Sequence, residues 1–229
     1  MRARIDSVFR YAVASGIAET DPTYALRDAL IRPTRVHRAA IIDPKALGRL
    51  IVQIDGFEGQ ATTRIGLKLL AILSQRPGEI RNAVWDEFDL SERIWSIPAA
   101  KMKIRRDHNV PLPDQAIAFL EELKLMNNKG DYLFPSLWTW TRPTSENTLN
   151  AALRRMGYSG EEMTAHGFRE SFSTLANESG LWNLNSIEWA LAHVEKNEVR
   201  RAYAWGEHRA ERVRLADWWA GYLKEIAAE

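Results

Sequence analysis

Apolar residues recur at helical spacing along most of the chain. Residues 4–16 place their apolar side chains on one helical face and end at Gly16, a usual stop for a helix. Residues 61–74 are apolar on most sides, which predicts a central, buried helix. Further helices are predicted over residues 44–54, 114–126, 145–157, 166–178, 182–191, 197–204 and 207–226.

Residues 88–112 depart from this spacing. Around Trp95 and Ile97 the side chains follow the two-residue period of a strand. A second strand is predicted near residues 100–103 and a third near residues 108–112, with a polar turn at residues 105–107. The predicted fold class is therefore mainly α with a small antiparallel β-sheet (α+β).

Composition and charge exclude several classes of function. The 229-residue chain has no cysteine, so disulfides, thiolate metal sites and cysteine catalysis are excluded. Its net charge of +1 is nearly neutral, so any contact with nucleic acid must depend on local basic clusters. No apolar run reaches the roughly 18–20 residues of a membrane span, and the amino terminus lacks the apolar core of a secretory signal. We therefore expect no membrane association, and the lack of cysteine is compatible with the bacterial cytoplasm.

Two stretches of the sequence each predict a helix start that favours the binding of an anion. His166 and Arg169 are three residues apart and so share one helical face. Thr164 can cap that helix, which places both side chains in or near its positive first turn. Arg76 precedes a proline that starts another helix, and Glu79 lies in the first turn of that helix. Imidazole and guanidinium groups at positive helix ends suit a phosphate group.

Several short motifs follow one another between residue 76 and residue 203. In order they are Arg76-Pro-Gly-Glu-Ile80, Trp85-Asp-Glu-Phe-Asp89, Ile97-Pro-Ala-Ala-Lys-Met-Lys103, Val110-Pro-Leu112, Ala165-His-Gly-Phe-Arg169, Leu191-Ala-His193 and Val199-Arg-Arg-Ala-Tyr203. Together they resemble the catalytic domain of the tyrosine recombinases, the phage integrase family, and most of all the integrases of prophages and genomic islands. The resemblance covers the chain from about residue 43 to its end.

The resemblance implies a DNA strand transferase that works through a covalent 3′-phosphotyrosine during integration or excision of a mobile element. Tyr203 is implied as the nucleophile and Lys103 as the proton donor to the departing 5′ oxygen. His166 is implied either as the acceptor of the tyrosine proton or as a phosphate ligand, and His193 as a group that contacts the phosphate or orients the tyrosine. The implied catalytic set is Arg76, Lys103, His166, Arg169, His193 and Tyr203, with Glu79 supporting the first arginine.

The same resemblance implies an organisation and a set of partners. Residues 1–30 correspond to the end of a core-binding helical domain, residues 31–42 to a basic interdomain linker and residues 43–229 to the catalytic domain. The expected partner is double-stranded DNA at attachment sites, with a monomer free in solution and a homotetramer on paired sites. We expect no metal and no other cofactor, because no carboxylate cluster suggests a two-metal nuclease. Additional candidates for DNA contact are Arg35, Arg38, Arg105, Arg106, Arg154 and Arg155.

Other interpretations stay open at this point. One is a type IB topoisomerase-like relaxase, which shares the arrangement of the catalytic residues. Another is a non-catalytic module that binds DNA without cutting it. A third is a helical interaction protein whose match to the motifs is accidental. His37, His108 and His208 are interpreted as surface or core residues. The apolar stripe of the last helix fits packing either on its own domain or on a neighbouring protomer; it consists of Trp218, Trp219, Tyr222 and Ile226.

The chain departs from its apparent relatives near the catalytic motifs. Ala192 stands where many relatives have glycine. Ser74 and Gln75 precede Arg76 in place of a more apolar pair. None of these differences removes a catalytic side chain.

Overall fold

The computed structural model describes residues 2–24, 39–102, 105–126, 130–192 and 209–229. The chain separates into two compact units, Met1–His37 and Arg38–Glu229. The first unit contains helix α1 (Arg2–Ala14), close to its predicted bounds. Within this unit, the Thr23 hydroxyl donates to Asp6 Oδ1 at 3.2 Å and so ties the turn that follows α1 back to the helix.

The second unit is built around α3 (Ala61–Leu73), which its apolar pattern predicts as the central helix. Leu67 and Leu70 of α3 are fully buried, and the helix packs against elements on several sides. The other helices of this unit are α2 (Pro44–Asp55), α4 (Pro77–Arg81), α5 (Asp114–Met126), α6 (Thr148–Arg155), α7 (Gly167–Glu178), α8 (Leu184–Ala190) and α9 (Arg209–Ala228). This helical majority confirms the predicted fold class, while the helix predicted over residues 197–204 lies outside the described residues.

A three-stranded antiparallel sheet, in the order β1-β2-β3, lies between α4 and α5 in the sequence. Its strands are β1 (Phe88–Asp89), β2 (Ile94–Ile97) and β3 (His108–Pro111). The prediction of a strand near residues 100–103 is wrong over the residues described there, because Ala99–Lys101 forms a 3-10 turn. The Asp107 carboxylate closes this connection by accepting the Ala99 N–H at 2.8 Å.

A second, two-stranded sheet was not predicted. It pairs β4 (Pro135–Ser136) with β5 (Thr139–Pro143). A proline is present in each strand, and the side chain of Trp138 between them is 93% exposed. Because neither strand buries an alternating apolar face, this hairpin lacks the pattern by which strands are recognised in sequence.

Helix α9 packs on its own chain through the predicted apolar stripe. Trp219 is buried and donates from Nε1 to the Ala71 carbonyl of α3 at 2.9 Å. On the other side, α9 lies so close to α2 that a Cβ added to Gly48 would overlap the carbonyl oxygen of Ile226. The sequence left open whether the stripe packs on its own domain or on a neighbouring protomer, and in this structure it packs on its own domain. No helix in the described ranges is long and apolar enough to cross a lipid bilayer.

Candidate active site

Arg76 lies where the chain passes from α3 into α4. It is the extended residue before the helix, and Pro77 is the first helical residue. Glu79 accepts from the Arg76 backbone N–H at 2.9 Å and from its guanidinium Nη1 at 2.7 Å. The Arg76 side chain is 22% exposed and the Glu79 side chain 5%. A buried carboxylate therefore orients a guanidinium that still reaches solvent.

Arg169 lies in the first turn of α7 and is buried. Its Nη1 donates to the Ser74 carbonyl at 2.9 Å, and its Nη2 donates to the Leu191 carbonyl at 2.7 Å. The side chain thus connects the residues just before Arg76 to the end of α8. Two separate acceptors suit the planar fork of a guanidinium, which presents several donors in fixed directions.

The charges of Arg76 and Arg169 act on each other. Burial, followed by the charge of Arg76, lowers the pKa of Arg169 to about 10, while Glu79 and Glu188 act in the opposite direction. Arg169 therefore remains a cation at neutral pH. Two neighbouring guanidinium groups, one of them held by a carboxylate, form a place where an added anion is stabilised by charge and by hydrogen bonds.

His166 immediately precedes α7, as its N-cap residue, and is half-buried. The helix start is held by Thr164, whose hydroxyl accepts from the Gly167 N–H at 3.1 Å, as the sequence predicts. A Cβ added to Gly167 would overlap the carbonyl oxygen of Ala39, so this position requires glycine. The chain at residue 39 thus packs directly against the turn that carries His166.

Backbone carbonyls at the end of α8 accept hydrogen bonds from side chains of other elements. Gln75 Nε2 donates to the Ala190 carbonyl at 3.0 Å and to the Leu73 carbonyl at 2.9 Å. Ala192 then takes a left-handed conformation, with φ 51°. Glycine adopts this conformation without the steric cost that a Cβ imposes. Gln75 therefore binds the helix end, whereas Ala192 occupies a position that suits glycine better than alanine.

The sequence profile of the phage integrase family matches residues 41–208. The chain belongs to the phage integrase family. The integrase of Enterobacteria phage P4 is 35% identical, over 97% of this chain and 54% of its own length. Prophage integrase IntA of Escherichia coli (strain K12) is 37% identical, over 96% of this chain and 53% of its own length. This phage integrase chain thus spans about half the length of the curated relatives it matches.

Solved structures of lower identity share the fold. The integrase from mycobacterium phage Brujita has a TM-score of 0.61 and 18% identity, covering 99% of this chain and 75% of that one. A lambda integrase tetramer bound to a Holliday junction has a TM-score of 0.63 and 20% identity, covering 86% of this chain and 58% of that one. These likenesses confirm the fold predicted for this phage integrase.

Lys101 is engaged in structural contacts, two residues before the predicted catalytic Lys103. Its Nζ donates to the Asn82 carbonyl at 2.8 Å and forms an ion pair with Glu87. Glu87 is buried and also accepts from Trp95 Nε1 at 3.0 Å. Lys101 therefore attaches the β2–β3 connection of the phage integrase to the segment between α4 and β1.

His108 is the first residue of β3 and is buried. Burial, followed by the charge of Arg212, lowers its pKa to about 3, and the charges of Arg169 and Arg76 act in the same direction. The backbone of Ala190 opposes this shift. The sequence interpretation of His108 as a surface or core residue is confirmed in its second alternative, but it did not indicate the charges that act on this histidine. The one signal available was its place two residues before Val110-Pro-Leu112.

The candidates for DNA contact differ in their surroundings. Arg105, Arg106 and Arg155 are exposed. Arg154 is exposed as a residue, yet its guanidinium donates to the Tyr158 carbonyl and, at 2.6 Å, to the Met163 carbonyl. Arg154 therefore holds the loop after α6, a role that its sequence did not indicate.

Other predicted site residues of this phage integrase lie outside the described residues; they are Lys103, His193, Tyr203, Arg35 and Arg38. Among the residues that the structure covers, no group of three or more histidine, cysteine, aspartate or glutamate side chains is arranged to hold a metal ion.

Proposed function

We propose that this chain is the catalytic part of a site-specific DNA recombinase, which cuts and rejoins DNA strands through a covalent 3′-phosphotyrosine. The observation that carries the proposal is the paired guanidinium site. Arg76 is oriented by Glu79 at 2.7 Å, and Arg169 is fixed by two backbone carbonyls. Membership of the phage integrase family, with a match over residues 41–208, supports a phosphodiester as the anion that binds there.

In the proposed reaction, the Tyr203 hydroxyl oxygen attacks the scissile phosphorus. A bond forms between the tyrosine oxygen and phosphorus, and the bond from phosphorus to the 5′ oxygen breaks. Negative charge builds on the non-bridging oxygens, where Arg76 and Arg169 stabilise it. Because these cations are already oriented, little reorganisation is needed as the charge develops.

Two proton transfers complete the step. A tyrosine hydroxyl has an ordinary pKa near ~10, so it must lose its proton during attack. We assign acceptance of this proton, or binding of the phosphate, to His166. We assign protonation of the 5′ oxygen to Lys103 and orientation of the phosphate or of Tyr203 to His193. The reverse reaction with a new 5′ hydroxyl rejoins the strands without an external energy source.

The proposed partner is double-stranded DNA at the attachment sites of a prophage or genomic island. Solved relatives include integrases bound to a core site, to a Holliday junction and to circular intermediate DNA. By this likeness we propose a monomer free in solution and a homotetramer on paired sites. We further propose that the protein acts at the nucleoid in the bacterial cytoplasm.

Covalent trapping tests the proposal. The chain is incubated in EDTA with nicked suicide DNA that carries attachment-site sequence from the host element, and the adduct is mapped to a peptide. Adduct on Tyr203 is expected, with loss in Tyr203→Phe and retention of DNA binding. Tyr11→Phe is the matched control, because Tyr11 is 72% exposed and is the kind of tyrosine that would react without specificity. Adduct that persists in Tyr203→Phe would overturn the assignment.

A further inference from the structure

His108 lies where β3 meets the end of α8. It begins β3, is buried, and faces the Ala190 backbone at the end of α8. The same Ala190 carbonyl accepts from Gln75 Nε2 at 3.0 Å. The next carbonyl along the chain, that of Leu191, accepts from Arg169 at 2.7 Å. The end of α8 is therefore held at consecutive peptide groups by side chains of other elements.

Arg212 makes a comparable attachment at the start of α9. This arginine is largely buried, and burial lowers its pKa to about 10. Its Nη2 donates to the backbone carbonyl of Asn109 on β3. Its Nε is buried without a hydrogen-bond partner in the described part of the chain. Within the described part of the chain, the Asn109 carbonyl is the acceptor that offsets part of the cost of burying this cation.

These two attachments fall on neighbouring residues of one strand. His108 faces the end of α8, and Asn109 receives Arg212 from the start of α9. Residues 193–208, with His193 and Tyr203, connect those two helix ends in the sequence. We propose that β3 anchors both ends of this connection through His108 and Arg212, and that these side chains are positioning residues for attack by Tyr203. The role of Tyr203 in this inference rests on the proposed function.

Nucleophilic attack requires that the tyrosine oxygen be positioned precisely relative to the phosphorus. Reacting atoms must lie about 3–3.5 Å apart, and a displacement of about 1 Å costs on the order of 100-fold in rate. A connection held at both ends samples fewer conformations than one held at a single end. The segment between β2 and β3 contains Lys103, the proposed proton donor, and leads directly into β3. The strand proposed to anchor the two helix ends on either side of Tyr203 therefore also follows the proposed proton donor in the sequence.

Single-turnover cleavage on the suicide substrate separates positioning from affinity. His108→Leu and Arg212→Ala should each slow adduct formation about 10- to 100-fold at saturating DNA, with the Kd for DNA changed by less than about threefold. Arg212→Lys keeps a donor for the Asn109 carbonyl and should recover part of the rate. Arg214→Ala is the control, since Arg214 is exposed on the same helix. Rates unchanged in both His108→Leu and Arg212→Ala would overturn the positioning role.

Limited trypsin digestion without DNA tests the anchor independently of catalysis. Release of either helix end should increase cutting at Arg200 and Arg201 relative to cutting at Arg154 and Arg155 in α6. General destabilisation would raise both rates together. An unchanged ratio in His108→Leu and Arg212→Ala would overturn the anchor. If the wild-type chain forms no DNA adduct, the proposed function fails, and this ratio still decides whether the anchor exists.

Discussion

Glu79 holds both the main chain and the side chain of Arg76, with Oε2 2.9 Å from the backbone nitrogen and Oε1 2.7 Å from Nη1. One buried carboxylate therefore starts α4 and orients the guanidinium. Because Gln is nearly isosteric but uncharged, Glu79→Gln removes the charge and presents an amide in place of one acceptor. We therefore expect this substitution to change both the stability of the fold and the rate of the reaction.

We expect Glu79→Gln to reduce the free energy of unfolding by about 1–3 kcal/mol, since hydrogen bonds to charged groups are lost at a buried position. Adduct formation should slow by about 10- to 100-fold, because Arg76 is no longer oriented. Urea denaturation and covalent trapping measure the two effects. Glu146→Gln is the control: Glu146 pairs with Arg81 at 3.3 Å, but its side chain is 87% exposed. Equal stability losses in the two variants would contradict this account.

Arg169→Lys should fold less stably and react more slowly, although the positive charge is kept. A single ammonium cannot reproduce the two in-plane bonds to the Ser74 and Leu191 carbonyls. We expect single-turnover cleavage to fall by about 100-fold or more, as for loss of an oriented charge-stabilising donor. Arg214→Lys, at an exposed position on α9, should leave the rate unchanged. A normal rate in Arg169→Lys would show that charge alone is sufficient.

The sequence predicted the parts of this molecule that have a periodic or local cause. The pattern of α3, apolar on most sides, identified the central helix, and a proline after Arg76 identified the start of α4. Thr164 was predicted to act at the start of α7, and its hydroxyl does accept from the Gly167 N–H, although the N-cap residue is His166. These features require no knowledge of the tertiary fold.

Features that depend on distant contacts were not predictable in this way. The place of His108 beside Arg212 depends on how β3 packs against α9, which no local pattern encodes. The β4–β5 hairpin was missed because its strands are short and largely exposed, so alternation carries no signal. The 3-10 turn at Ala99–Lys101 was mistaken for a strand, since a few residues do not distinguish the two periods.

The buried His108 predicts a pH dependence of stability. Its pKa is lowered from an ordinary 6.5 to about 3 in the folded chain, with burial as the largest cause. Between these two values the unfolded state binds more protons at this residue than the folded state does. Stability is therefore lost as the pH falls below about 6.5 and is fully present above it, with a limiting slope of about 1.4 kcal/mol per pH unit from one proton.

Urea denaturation between pH 4 and pH 7 compares the wild-type chain with His108→Asn. The variant lacks the titrating group, so its stability should fall less steeply with acid, by about one proton. The other histidines are common to both proteins and cancel in the difference. Parallel pH profiles would mean that His108 titrates in the folded protein much as it does in the unfolded chain.

Gly48→Ala should loosen the contact between α2 and α9. The added Cβ would overlap the carbonyl oxygen of Ile226, and a backbone atom cannot move aside as a flexible side chain can. We expect a stability loss of about 1–3 kcal/mol, in the range for overpacking. Gly221→Ala is the matched control, because a Cβ there meets nothing within 4 Å. It should stabilise α9 by about 0.5–1 kcal/mol, and thermal unfolding should show opposite signs for the two variants.

Ala192→Gly should stabilise the chain at the end of α8. Ala192 has φ 51°, a conformation that costs an L-residue about 1–2 kcal/mol and glycine much less. Part of this gain is offset by the greater freedom of glycine in the unfolded state, so a net gain of about 0.5–1 kcal/mol is expected in urea denaturation. Ala190→Gly is a control of opposite sign, because residue 190 is the last residue of the helix, where glycine costs about 0.5–1 kcal/mol. If both substitutions destabilise alike, the left-handed conformation of Ala192 is not a source of strain.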